Sequence, residues 1–228
     1  MSLEIKARFK AVDRRIRHAE SDAARRPSSV GLIAVSKTQP VEAIREVYAL
    51  GQRDFGENYL QEALTKKEAL RDLDDIVWHF IGPIQSNKTR LIAENFDWVH
   101  TVDRIKTAER LSQQRPEGLP PLNICVQVNV SGEATKSGVD LSELEDIADR
   151  IRQLHHLNLR GLMAIPAPID PSDPDPGKPF RLLRHAAQDL SNPLDTLSMG
   201  MSDDLEWAVR EGATWVRIGT ALFGPRRP

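Results

Sequence analysis

The feature that most constrains this chain is a repeated alternation of short apolar runs with helically spaced segments. Strand-like runs at residues 30–36, 54–56, 77–82, 98–101, 122–130, 159–165, 196–199 and 215–219 are each separated by stretches whose apolar residues recur at three and four. Strands separated by helices are joined by crossovers and therefore run parallel. About eight such units predict a closed (β/α)8 TIM barrel, an α/β fold, rather than an open sheet.

The two ends of the chain agree with closure. Ile5, Phe9, Val12, Ile16, Ala19 and Ala23 share one face of an opening helix, whereas only nine residues, 220–228, follow the last strand. The unmatched N-terminal helix is expected to fill the gap left after strand eight. Pro40 is expected at the first helical position after strand one, with Gly51 as the stop. The proline-rich stretch 166–179 has no period and is read as a loop after strand six, not a boundary. The whole of 1–228 is thus expected to form a single barrel domain.

Composition removes several function classes. Thirty-one basic and 33 acidic residues, mixed along the chain, give a net charge of -2 and no basic stripe, so nucleic acid is not an expected partner. The N-terminus lacks a signal-peptide core and no run is long enough for a bilayer, so a cytoplasmic protein without membrane contact is expected. Cys125, the only cysteine, lies in an apolar run and reads as a buried thiol. No cluster has metal-ligand spacing, and none is expected to bind a metal. Lys66 and Lys67 read as a solvated helix face, and His155 and His156 as a helix end.

In such barrels the chemistry collects at the C-terminal ends of the strands. Those ends carry Lys37, Asn58, Met163, the segment Ser198-Met199-Gly200-Met201-Ser202, and Arg217 with Gly219-Thr220. Lys37 ends a run of apolar and small residues, so its stem can pack on the core while its amine reaches the mouth. There it is either a solvated loop lysine or a desolvated amine reactive toward carbonyls. The loops after strands seven and eight are where this fold holds phosphate, and glycine with hydroxyl side chains suits that task. The alternative is ordinary turn chemistry, with Ser202, Asp203 and Asp204 capping the next helix. Arg217 alternates with Val216 and Ile218 and points to the barrel interior, where either a cofactor ring nitrogen or a carboxylate would pair with it. His79, mid-strand, reads first as a hydrogen-bonded core residue.

Taken together, these segments resemble one known family over the whole chain. The blocks are Ala34-Val35-Ser36-Lys37-Thr38, Phe55-Gly56-Glu57-Asn58-Tyr59, Trp78-His79-Phe80-Ile81-Gly82, Gln85-Ser86-Asn87-Lys88, Val128-Asn129-Val130, Lys136-Ser137-Gly138, the Ser198–Ser202 segment, and Val216-Arg217-Ile218-Gly219-Thr220-Ala221-Leu222-Phe223-Gly224. They are similar to the pyridoxal phosphate homeostasis family, also called proline synthetase co-transcribed proteins. The resemblance implies a barrel like the N-terminal domain of alanine racemase, with pyridoxal 5'-phosphate (PLP) as a Schiff base on Lys37. It further implies Arg217 at the pyridine nitrogen, Ser198, Gly200, Ser202, Gly219 and Thr220 around the phosphate, and Asn58, His79 and Met163 near the ring. The proline-rich 166–179 segment departs from the family pattern.

An arginine at the ring nitrogen keeps it unprotonated and weakens the electron sink of carbanion chemistry. A two-base racemase needs another proton donor, and racemases of this fold draw on an added β domain. The expectation is therefore a PLP-holding homeostasis protein, a monomer, that passes the cofactor to apo-enzymes without robust catalysis. The alternative is a small PLP enzyme such as an amino-acid racemase, with Tyr59 or His79 as the second base.

Overall fold

Each apolar run forms a strand in the computed structural model, which describes residues 3–131, 137–170 and 172–225; Lys136 lies outside them. The order is α1 (Leu3–Asp22), β1 (Gly31–Val35), α2 (Val41–Tyr48), β2 (Asp54–Glu57), α3 (Leu60–Ala69), β3 (Val77–Phe80), α4 (Thr89–Asn95) and β4 (Trp98–Val102). It continues through α5 (Ile105–Gln114), β5 (Leu122–Gln127), a 3-10 turn at Leu141–Glu143, α6 (Leu144–Arg152), β6 (Leu157–Met163) and α7 (Lys178–Asp189). The chain closes with β7 (Thr196–Ser198), α8 (Leu205–Arg210), β8 (Trp215–Ile218) and α9 (Thr220–Phe223).

The strands pair in chain order, and β8 returns to β1 in parallel register through Gly31↔Trp215 and Ile33↔Arg217, so the barrel is closed. Outward residues such as Ala34, Phe55 and Val99 are fully buried beneath the helices. Each large apolar side chain removed from water in this layer contributes about 1.5–3 kcal/mol. Inward residues are identified by contacts between strands that are not neighbours. The His79 ring of β3 lies 5.5 Å from the Trp215 ring of β8, and the Trp98 ring of β4 lies 6.4 Å from it. These rings fill the barrel floor. Gly31 is required there, since a Cβ would lie 2.3 Å from the Trp215 ring.

α1 packs against α2, α8 and α9, burying Val12, Ile16 and Ala19. It therefore covers the barrel next to the short α9, the place expected for it. The expected position of Pro40 shifts by one: it is the N-cap, extended at φ -70° and ψ 158°, and the helix begins at Val41. The irregular segment after β6 ends earlier than expected, because Lys178 and Pro179 already belong to the first turn of α7. Proline is tolerated there, where a backbone N–H has no intrahelical acceptor. His155 and His156 lie in the turn between α6 and β6 rather than in the helix.

Candidate functional site

The C-terminal ends of the strands open into a cavity of about 490 Å³, within the roughly 300–1,000 Å³ usual for small-molecule sites. Lys37 after β1, Asn58 after β2, Ser202 in the loop after β7, Arg217 within β8, and Gly219 and Thr220 at the start of α9 all line it. Four other residues singled out in the sequence are not part of this lining. His79 and Ser198 are fully buried in the barrel interior, and Met163 is fully buried against Trp98 and Cys125. Gly200 shapes the loop: its φ is +97°, and a Cβ would lie 2.6 Å from the Ala208 methyl. Asp204 stands at the N-cap of α8, yet its carboxylate accepts the Met201 N–H and so braces the loop instead of the helix end.

Arg15, Ile81, Ile165 and Asp203 also line the cavity and were not anticipated. The signal for Arg15 was indirect. A helix filling the gap after β8 must bring one face to the rim, and there Arg15 Nη2 donates to the Ser202 carbonyl at 2.9 Å while Nε donates to Glu206 at 2.7 Å. Among the described lining residues, three cations (Arg15, Lys37, Arg217) stand against one carboxylate, Asp203. That balance favours an anionic guest.

Lys37 sits in a turn held from behind by buried charges. Thr38 adopts φ +62°, a left-handed conformation unusual for a β-branched residue, and its N–H donates to Glu62 Oε1 at 2.6 Å. Ser36 Oγ donates to Glu57 Oε1 at 2.7 Å. Lys66 Nζ donates to the Ser36 carbonyl at 2.6 Å and to Glu57 Oε1 at 2.8 Å, and also pairs with Glu62. Burial pushes the Glu57 carboxyl above its usual range, against the opposing pull of Lys66. Lys66 is thus a buried residue, not part of a solvated face. Lys67 departs from that expectation differently: its ammonium lies 5.3 Å from the Trp78 ring centre, and burial pushes its pKa down to about 8. Periodicity alone could not separate these neighbours, because the receiving carboxylate, Glu57, belongs to another element.

On the opposite wall, Arg217 Nη1 donates to the Ser198 carbonyl at 2.6 Å and to Ser198 Oγ at 2.9 Å, and Nη2 donates to the Ala164 carbonyl at 2.9 Å. Nη2 keeps a second hydrogen, and Nε donates to no described residue, so donors remain for a group in the cavity. Burial lowers the Arg217 pKa to about 10, which leaves it charged at neutral pH. Behind it runs a buried chain of contacts: Ser198 Oγ to His100 Nδ1 at 2.8 Å, His100 Nε2 to His79 Nδ1 at 2.9 Å, and His79 Nε2 to Asp54 Oδ1 at 3.0 Å. A guanidinium only donates and a carboxylate only accepts. The direction that uses the serine hydroxyl hydrogen therefore runs from Arg217 through Ser198, His100 and His79 to Asp54. Burial, reinforced by His79 and Arg217, holds His100 well below its ordinary pKa and keeps it neutral. His79 thus has the core role read first from its position in the strand.

Asn58 lines the cavity, and its Oδ1 is buried with no hydrogen-bond partner among the described residues. A buried amide oxygen left unpaired is an acceptor waiting for a ligand donor. Cys125 is fully buried, and burial pushes its thiol up to about 12, so it is no nucleophile at neutral pH. Tyr59 stands at the N-cap of α3 with half its surface in solvent, and the Tyr48 hydroxyl donates to Asp75 on the outside of the barrel. No helix among the described residues is long and apolar enough to cross a membrane.

Comparison with known proteins gives a consistent result. The family described as alanine racemase, N-terminal domain, matches residues 8–227. The chain is 63% identical over 212 residues to the pyridoxal phosphate homeostasis protein of Pseudomonas aeruginosa, covering 93% of this chain and 91% of that one. It is 48% identical over 220 residues to the protein of the same name from Escherichia coli K12, covering 93% and 92%. Among solved structures it is similar to PipY of Synechococcus elongatus with PLP bound, at 43% identity and a TM-score of 0.79, covering 92% of this chain and 100% of PipY.

Proposed function

Because this chain belongs to the pyridoxal phosphate homeostasis protein family, with an alanine racemase N-terminal domain fold, we propose that it binds PLP as a Schiff base on Lys37 and acts in intracellular vitamin B6 homeostasis. One observation carries the reading: Lys37 and Arg217 line a single cavity in which cations outnumber carboxylates, a balance that favours an anion. PLP supplies an aldehyde that condenses with a primary amine, the carbonyl oxygen leaving as water with the two amine hydrogens. The residues present fit that guest. The spare N–H groups of Arg217 suit a ring nitrogen, the orphaned Asn58 amide suits a ring hydroxyl, and Ser202, Gly219 and Thr220 with Arg15 at the rim suit a phosphate.

Arg217 stays cationic at neutral pH, so it donates to a ring nitrogen and does not hand over a proton. That disfavours the electron sink required by racemisation or transamination. Neither residue expected to supply a second base lines the cavity: His79 is engaged in the buried chain to Asp54, and Tyr59 heads α3 with about half its surface in solvent. We therefore read the protein as a cytoplasmic holder and donor of PLP to apo-enzymes, one barrel domain over 1–228, acting as a monomer and without robust catalysis.

Borohydride reduction of protein incubated with PLP, followed by peptide mass spectrometry, tests the attachment. A pyridoxyl adduct on Lys37 is the expected product, and an adduct confined to other lysines overturns the assignment. Turnover of an amino acid at ordinary enzyme rates would favour the racemase reading.

A further inference from the structure

The turn that carries Lys37 is strained and is gripped on both sides of that residue. Thr38 holds φ +62°, a conformation that a β-branched residue keeps only when its surroundings impose it. Glu62 takes the Thr38 N–H, Lys66 holds the Ser36 carbonyl, and Glu57 accepts from both the Ser36 hydroxyl and Lys66. None of the three gripping side chains lines the cavity. Lys66 reaches the turn from α3 with its side chain only 5% exposed, and Glu57, at the end of β2, is fully buried. An ion pair so buried is an expensive way to secure a surface turn, and hydrophobic packing would do as well for stability alone. What it adds is a fixed backbone on either side of a single residue.

We propose that Glu57, Lys66 and Glu62 form a positioning clamp that sets the direction in which the Lys37 amine enters the cavity. The proposal rests on the reading of Lys37 as the amine that condenses with PLP. In that step the nitrogen forms a double bond to the aldehyde carbon, and the carbonyl oxygen departs as water with both amine hydrogens. The clamp touches neither reactant; it governs the approach geometry, to which such rates are steeply sensitive.

Two probes separate positioning from binding. Pyridoxine 5'-phosphate carries an alcohol in place of the aldehyde and reports on the cavity alone, by calorimetry. PLP reports on condensation, by the rate at which visible absorbance develops. Lys66→Met is expected to bind pyridoxine 5'-phosphate within about twofold of the native protein but to condense with PLP about tenfold or more slowly. Glu62→Gln, on the more exposed side of the cluster, is expected to slow condensation less. Should Lys66→Met fail to fold because Glu57 is left uncompensated, the pair Glu57→Gln/Lys66→Met removes that charge and should still condense slowly. Native rates in a folded Lys66→Met or double variant, or a parallel loss of affinity for both probes, would overturn the clamp. A native protein that binds both probes yet never develops absorbance would instead defeat the Lys37 reading, before any variant is measured.

Discussion

On the β1–β2 side of the cavity, the lysine-bearing turn is held by formal charges, Glu57, Lys66 and Glu62. On the β7–β8 side, Arg217 is held by two carbonyls and a hydroxyl, with two histidines behind them ending at Asp54. Both walls bury a cation, but they place the burden of burial differently. In the first, the group disturbed is a carboxylate, and burial raises its pKa. In the second, the groups disturbed are bases, and burial lowers the pKa of both Arg217 and His100. The two walls should therefore answer acid in opposite directions.

The contrast breaks most sharply at Lys37. Lys37→Ala should abolish the borohydride-trapped adduct while retaining binding of pyridoxine 5'-phosphate, because the opposite wall and the loops after β7 and β8 are untouched. If the adduct persisted at full yield, the two walls would not share one ligand.

Next in size is the arginine itself. Arg217→Met leaves the Ala164 carbonyl and the Ser198 hydroxyl without their donor, while the Ser198 carbonyl keeps the Ala164 N–H; partly offset by removing a buried charge, the change should cost about 2–3 kcal/mol in urea unfolding. A change near zero would mean that water replaces the guanidinium without loss.

His100→Gln interrupts the relay and should cost about 1–2 kcal/mol at pH 8. Its pH dependence carries the sign. His100 is neutral in the folded barrel, whereas the unfolded chain takes up a proton below pH 6.5. Its contribution is thus complete above pH 6.5 and is lost as the pH falls from there toward its depressed folded value. The gap between native protein and variant should shrink from pH 8 to pH 5.

Smallest is Glu57→Gln, expected to stay within about 1 kcal/mol at neutral pH, since Lys66 keeps Glu62 as its counter-charge and the loss of one pairing is set against relief of the buried Glu57 charge. Here the sign reverses. With its folded pKa raised above the usual 4.5, Glu57 favours the folded state fully below 4.5 and loses that contribution as the pH rises through the raised value. Native protein should therefore gain on Glu57→Gln as the pH is lowered. Parallel slopes for the His100 and Glu57 variants would erase the distinction between the walls.

Much of this site was legible in advance because it is local. Lys37, Asn58, Ser202, Gly219 and Thr220 stand at strand ends, and in a parallel barrel a strand end is a position in space as well as in sequence. Arg217 was placed by alternation with Val216 and Ile218. What alternation could not reveal was who meets whom across the barrel. Ser198 and His79 were singled out as residues near a ligand; neither lines the cavity, and both are buried in the barrel interior, joined through His100, a strand-end residue whose partners its sequence position did not reveal. Arg15 came from a helix far away in the chain.

The sequence by itself determined the period, the closure of the barrel and the strand-end residues at its mouth, because these follow from the spacing of apolar side chains and the short reach of a βα turn. Only the tertiary structure decided that Lys66 is buried beside Glu57 while Lys67 lies over Trp78, and that the histidines link Arg217 to Asp54. The physical reason is that a buried polar group is defined by its partner, and these partners come from separate elements that meet only when the barrel closes.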